Sequence, residues 1–157
     1  MHSRIFTVGH DSEISELSLW DIAIKFDGGI EYIVEEEGKS FDASVDWFCS
    51  YLKQNNVKLN RNGNTLKIDK DSFIDFRVKE KRDGIASYLA GINSLDKEKQ
   101  FKAYKGLAHI LSQTEKGGFL FYSEENGMTS LDDLLSDYAN DDGDIELDLA
   151  QSFDYHF

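Results

Sequence analysis

Trp20-Asp-Ile-Ala-Ile-Lys-Phe-Asp-Gly-Gly-Ile-Glu-Tyr-Ile-Val-Glu35 is the stretch whose reading decides the fold. Trp20, Ile22, Ile24 and Phe26 fall on one parity, with Asp21, Ala23, Lys25 and Asp27 on the other. Ile30, Tyr32 and Val34 then resume the apolar parity. A period of two is the pattern of a half-buried antiparallel strand. Directly opposed residues share a face, so the parity predicts Phe26 opposite Ile30, Ile24 opposite Tyr32 and Ile22 opposite Val34. Asp27-Gly28-Gly29 closes this hairpin, with Gly29 in the left-handed position that three-residue loops need.

Working outward, Arg4 to Val8 reads as an opening strand, and His10 to Glu16 as a polar link. After Glu35-Glu36-Glu37-Gly38, Ser40 offers a helix N-cap. Phe41, Val45, Phe48 and Leu52 follow at helical spacing with Cys49 beside them, while Trp47 and Tyr51 mark a second face. Asn55-Asn56 ends that helix. Leu59 opposite Leu66 leaves Asn62-Gly63 as a type I′ turn. Ile74 to Lys79 alternates as a third strand, giving a meander over 56–80 whose polar face carries Lys58, Lys67, Arg77 and Lys79. In that meander Lys67 opposes Asp75.

Asp83-Gly84 breaks the pattern, and Ile85, Tyr88, Leu89 and Ile92 mark a short helix. Asp96 caps a longer one with Phe101, Tyr104, Ala108 and Leu111 inward, stopped at Gly117-Gly118. Phe119 to Tyr122 is apolar on both parities, as a strand covered on both faces is. Ser130 with Asp133 fits a capping box before Leu131, Leu134, Leu135 and Tyr138. Ile145, Leu147 and Leu149 alternate with Asp144, Glu146 and Asp148 as a last strand with an acidic outer face. From about residue 150 an acidic tail is expected, which Phe153, Tyr155 and Phe157 could dock. The expected class is α+β: an antiparallel sheet from a central hairpin (about 18–35) and a three-stranded meander (about 56–80), with three to four helices packed on it.

A chain of 157 residues, 40% hydrophobic, suits a single domain, 1–157, with a core of its own. No apolar run approaches the ~20 residues of a membrane span, and no basic-then-apolar leader is visible. One cysteine, Cys49, cannot form an internal disulfide, so a cytoplasmic setting is expected.

The net charge is −13, unevenly spread. Residues 1–52 carry −8, residues 53–116 carry +6, and the remainder, with no Lys or Arg after Lys116, carries −11. Such a surface disfavours nucleic acid or an anionic membrane as direct partners and suits a basic one.

No chemical motif stands out. Placing Gly143 at the sixth position of a calcium loop puts Tyr138 first and Leu149 twelfth, and neither is a usable ligand. His2, His10, His109 and His156 lack metal spacing. Neither Gly-Gly pair has phosphate-loop spacing. No cofactor, metal or catalytic residue is therefore expected, and the protein is read as a non-enzyme.

The leading expectation is a small acidic protein that neutralises a basic partner, a toxin nuclease or another nucleic-acid-binding enzyme. Its two forms are an immunity protein or antitoxin, and a DNA-mimicking inhibitor of restriction or CRISPR enzymes. The expected contact residues are Asp132, Asp133, Asp137, Asp141, Asp142, Asp144, Glu146 and Asp148, with Trp47 and Tyr51. The rivals are an adaptor or assembly subunit binding through exposed aromatics, and an enzyme with a dispersed site. Oligomeric state is left open.

Overall fold

The computed structural model describes residues 2–9, 14–27, 31–111 and 118–156. Their elements run β1 (His2–Val8), α1 (Glu16–Asp27), β2 (Tyr32–Glu36), α2 (Lys39–Gln54), β3 (Leu59–Asn62), β4 (Thr65–Ile68), α3 (Lys70–Asn93) and α4 (Lys97–Leu111). Then come β5 (Phe119–Ser123), β6 (Gly127–Ser130), a 3-10 turn (Leu131–Asp133), α5 (Leu134–Asp137) and β7 (Ile145–His156). The chain divides into a sheet unit, residues 1–73 with 115–157, and a helical unit, residues 74–114. The class is α+β, with a seven-stranded mixed sheet.

The strand order is β3-β4-β7-β1-β5-β6, with β2 also paired to β7. β7 is the axis. One edge pairs antiparallel with β1, and the other takes β4 along residues 145–148 and β2 along residues 152–156. β1 and β5 are parallel. The pairing of β1 with β7 shifts between Phe6 and Val8, where the backbone N–H of Gln151 donates to Thr7 Oγ1 at 2.9 Å. Such a bulge reverses which face a given parity occupies. Leu149 therefore lies across from Val8 on the Phe6 face, while Phe153 lies across from Ile5 on the other. That is how one strand buries Ile145, Leu147 and Leu149 and also Phe153 and Tyr155, all odd-numbered.

Around β1, β5 and the second half of β7 both faces of the sheet are covered. Ile5, Ile33, Leu120, Phe153 and Tyr155 form one core with Leu19 and Ala23 of α1. On the other face Phe48 of α2 meets the rings of Phe6, Phe119 and Phe121 at 4.8–5.7 Å. The expected phase of α2 holds for Val45, Phe48 and Leu52, buried together with Cys49, while Phe41 in the first turn is half-buried. β5 is covered as expected, and the Asp133 carboxylate accepts the N–H (3.0 Å) and Oγ–H (2.7 Å) of Ser130.

The central hairpin does not form. Residues 16–27 are helical, and the apolar set is dense enough to satisfy either period. Leu19 and Ala23, four apart, are fully buried. Alanine favours helix over strand, and Ser15 caps the start, its Oγ accepting the Ser18 N–H at 3.3 Å. β2 does form, but Tyr32 faces His156 and Val34 faces Asp154. Gly28, Gly29 and Ile30 lie outside the described residues.

The second hairpin exists in a different register. Leu59 pairs with Ile68, Arg61 with Leu66 and Asn62 with Thr65, so Gly63-Asn64 is the loop. Gly63 has φ +61°, whereas Asn64 is not in the positive-φ region. Glycine first and a negative φ second is the II′ arrangement, which Asn-Gly-Asn accommodates as readily as the I′ reading. Parity survives this two-residue shift, and so does burial of Leu66 and Ile68.

The third meander strand is instead part of α3. Asp69 Oδ1 accepts the Ser72 N–H at 2.9 Å as its cap, and Phe73, Phe76 and Arg77 are buried at helical spacing. The helix continues through Asp83-Gly84 to Asn93. Lys58 and Lys67 therefore belong to the sheet unit and Arg77 and Lys79 to the helical one, and the strand expected to carry the latter two is not formed. In the helical unit Asp96 does cap α4, accepting the Lys99 N–H at 3.0 Å. Phe101 and Tyr104, expected inward, are 72% and 45% exposed. Residues 151–156, expected as a tail, continue β7 in the middle of the sheet.

Candidate protein-binding surface

The turn from Asn140 to Asp144 is closed by backbone bonds, Asn140 N–H to Asp144 O at 2.7 Å and Gly143 N–H to Asn140 O at 2.8 Å. Asn140 Oδ1 also accepts the Asp142 N–H at 3.0 Å, and Gly143 takes φ +84°. This compact geometry leaves Asp141 exposed and the Asp142 side chain 82% exposed. β7 then carries Glu146 and Asp148 on the parity opposite to the buried Ile145, Leu147 and Leu149. The result is a carboxylate edge of Asp141, Asp142, Asp144, Glu146 and Asp148.

Two cations enter this edge among the described residues, and one of them, Lys70, lies against the turn, its Nζ 3.4 Å from where a Cβ on Gly143 would stand. Lys67 faces Glu146 across the β4–β7 ladder, and its Nζ lies 3.5 Å from Asp144 and 3.9 Å from Asp142. Asp144 also accepts the Lys70 N–H at the start of α3, at 3.2 Å. Asp148 accepts Thr65 Oγ1–H at 2.5 Å, and Glu146 accepts Asn140 Nδ2–H at 3.3 Å. Asp144 and Asp148 thus serve the fold, while Asp141, Asp142 and Glu146 project. Below Lys67 lies a hollow of about 260 Å³ lined by Lys58, Leu59, Asn60, Lys67, Asp69 and Asp144.

Asp133, Trp47 and Tyr51 do not join that edge, whereas Asp137 precedes Tyr138, whose carbonyl accepts the Glu146 N–H at 3.0 Å. Asp133 is turned back to cap Ser130. Asp137 is half-buried and accepts Ser136 Oγ–H at 2.9 Å, and Asp132 is exposed on the 3-10 turn. Trp47 and Tyr51 flank the Phe119 ring at 4.9 and 5.2 Å, with Trp47 42% exposed. Phe119 pairs with Arg4, and Arg4 with Asp154. Asp154 lies eight residues along β7 from Glu146, about 27 Å of strand.

Beside Trp47 sits a polar network that the sequence does not announce. Glu36 Oε2 accepts Ser44 Oγ–H at 2.5 Å and Ser152 Oγ–H at 3.0 Å, and lies 3.0 Å from Arg4 Nε. Arg4 also reaches Ser44 Oγ at 2.8 Å and Asp154 Oδ1 at 2.6 Å, with its guanidinium 5.2 Å from the centre of the Trp47 ring. The network ties β1, β2, α2 and β7 together. Its members are 40 and 150 residues apart, a separation no local pattern reveals.

Burial pushes the Cys49 thiol up, partly opposed by Arg61 and Lys53, so it stays protonated near neutrality. Among the described residues no group of three or more His, Cys, Asp or Glu is placed to hold a metal ion. None of the described helices is long and apolar enough to cross a membrane. Comparison with protein-family models, with curated proteins and with solved structures finds no match for this chain.

Proposed function

We propose that this is a small acidic cytoplasmic interaction protein that binds and neutralises a basic target through the carboxylate edge around Asn140–Asp148. The observation that carries the reading is the projection of Asp141, Asp142 and Glu146 from a rigid turn and strand. Concentrating like charge disfavours the compact state, and a cationic partner relieves it. The target class is an enzyme with a positively charged substrate cleft, a toxin nuclease or a DNA-binding defence enzyme, against which fixed carboxylates stand in for phosphates. Trp47, exposed beside Arg4, supports a second reading as an adaptor that binds through aromatic contact.

Affinity capture from producing cells, followed by binding kinetics over a salt series, tests this. The captured protein is expected to be basic. Asp141→Asn/Asp142→Asn/Glu146→Gln should slow association and flatten its salt dependence with little change in dissociation. Salt-independent affinity, lost instead on Trp47→Ala, establishes the adaptor reading and removes the electrostatic one.

A further inference from the structure

Asparagine is followed by glycine at Asn62-Gly63 and at Asn126-Gly127. Glycine has no side chain to shield its amide nitrogen, so that nitrogen can approach the preceding carboxamide. The two sites are held differently. Asn62 ends β3 and Gly63 opens the hairpin loop, and both residues are exposed. Among the described residues the Gly63 N–H donates no hydrogen bond and the Asn62 carboxamide makes none. Arg61 Nε–H donates to Gly63 O at 2.7 Å, which leaves the Gly63 nitrogen unengaged. A Cβ built on Gly63 would meet nothing within 4 Å, so no other segment crowds the turn. Asn126 is fixed by contrast. Its Nδ2–H donates to Asp137 O at 3.2 Å, and its N–H donates to Ser123 Oγ at 3.1 Å.

We infer that Asn62 is a modification site, converted by its own backbone to aspartyl and isoaspartyl forms. The Gly63 nitrogen attacks Asn62 Cγ; the N–Cγ bond forms, the Cγ–Nδ2 bond breaks, and ammonia leaves with the Gly63 amide proton. Water then opens the cyclic imide. Cleavage at Cγ gives aspartate, and cleavage at the main-chain carbonyl gives isoaspartate, whose main chain runs through Cγ. No oxidant or reductant takes part. An extended residue holds the following nitrogen away from its own Cγ, so the reaction passes through opening of the loop-side pair Asn62–Thr65. Opening at a hairpin tip is cheap, since neither residue belongs to the core. The product changes the surface. Asn62 faces Thr65, and Thr65 faces Asp148, across successive ladders. A carboxylate at 62 thus stands about 10 Å from Asp148, two strand spacings away. Each converted chain gains one negative charge on the sheet face that carries Glu146 and Asp148.

The test incubates the full chain in mildly alkaline buffer below its denaturation temperature, and in parallel in urea. Peptide mapping by mass spectrometry follows each asparagine, and an isoaspartyl methyltransferase labels the isoaspartyl product. In the native protein Asn62 should convert first, about fivefold faster than Asn126, the factor that one net hydrogen bond is worth. In urea, where neither site is held, the two rates should converge. Asn62→Gln should remove most of the label and of the new acidic species on anion exchange, while Asn126→Gln should leave both. A native rate at Asn62 no higher than at Asn126, or no higher than at asparagines without a following glycine, overturns the proposal. So does label that survives Asn62→Gln. A gap between the two sites that persists unchanged in urea assigns the difference to sequence and overturns the structural argument.

Discussion

Arg4→Met removes the cation that holds Glu36 and Asp154 together. The three side chains are 17%, 13% and 22% exposed. Breaking a fully buried pair costs about 3–5 kcal/mol, because the remaining charge stays buried without its partner. Partial exposure reduces this, while two carboxylates in place of one, and the lost stacking on Trp47, act in the other direction. The expected loss is about 2–4 kcal/mol. Replacing all three charged groups by neutral isosteres, Arg4→Met/Glu36→Gln/Asp154→Asn, should recover most of it, since burial of unpaired charge is then gone. Urea denaturation followed by tryptophan fluorescence measures both, because Trp20 and Trp47 each report on the sheet unit. A loss below about 1 kcal/mol for Arg4→Met would show the network to be solvated surface charge. A triple variant no more stable than the single one would refute the charge argument itself.

Phe48→Ala empties a fully buried site ringed by Phe6, Phe119 and Phe121, and should lower stability by about 3–5 kcal/mol in the same assay. Gly63→Val should cost roughly 1 kcal/mol or more from the backbone alone, since φ is +61° and the space around a Cβ is open; an unchanged denaturation midpoint removes the turn assignment. The carboxyls of Asp69 and Asp96 should titrate below the ordinary 3.8 in carbon-13 NMR, held down by Ser72 and by Lys99 respectively. Their capping contribution is full above the unfolded pKa and is lost as pH falls through the lowered folded value, so stability should drop on that acid limb. Midpoints at or above 3.8 for both groups contradict the caps.

Legibility in the sequence follows the range of the interactions. α2 was readable because Val45, Phe48 and Leu52 give one period only, and β5 because both its parities are apolar. Trp20 to Phe26 supports two periods, and the choice lay with Ser15 as a cap and with β7 taking the partner that Tyr32 and Val34 were expected to find nearby. Ile74 to Val78 is likewise ambiguous, and the cap at Asp69 decides for helix. The carboxylate edge was readable because Asp141 to Asp148 are consecutive in one turn and strand. Its grouping with Trp47 and Tyr51 was not, because only the sheet sets that distance. Arg77 and Lys79 are visible as residues but read as part of a strand over 74–79, whereas both lie on α3.

β7 has a consequence for how the molecule comes into being. It pairs with β1, β2 and β4, all of which leave the ribosome before it. Until Ile145–His156 is available, those three strands have unfilled edges where the axis belongs, and β1 must wait for a partner nearly 150 residues away. Such distant closure is slow, and open edges invite pairing between nascent chains. Fragments ending before Ile145 should therefore collect in inclusion bodies, and supplying a β7 peptide in trans should compete with that aggregation.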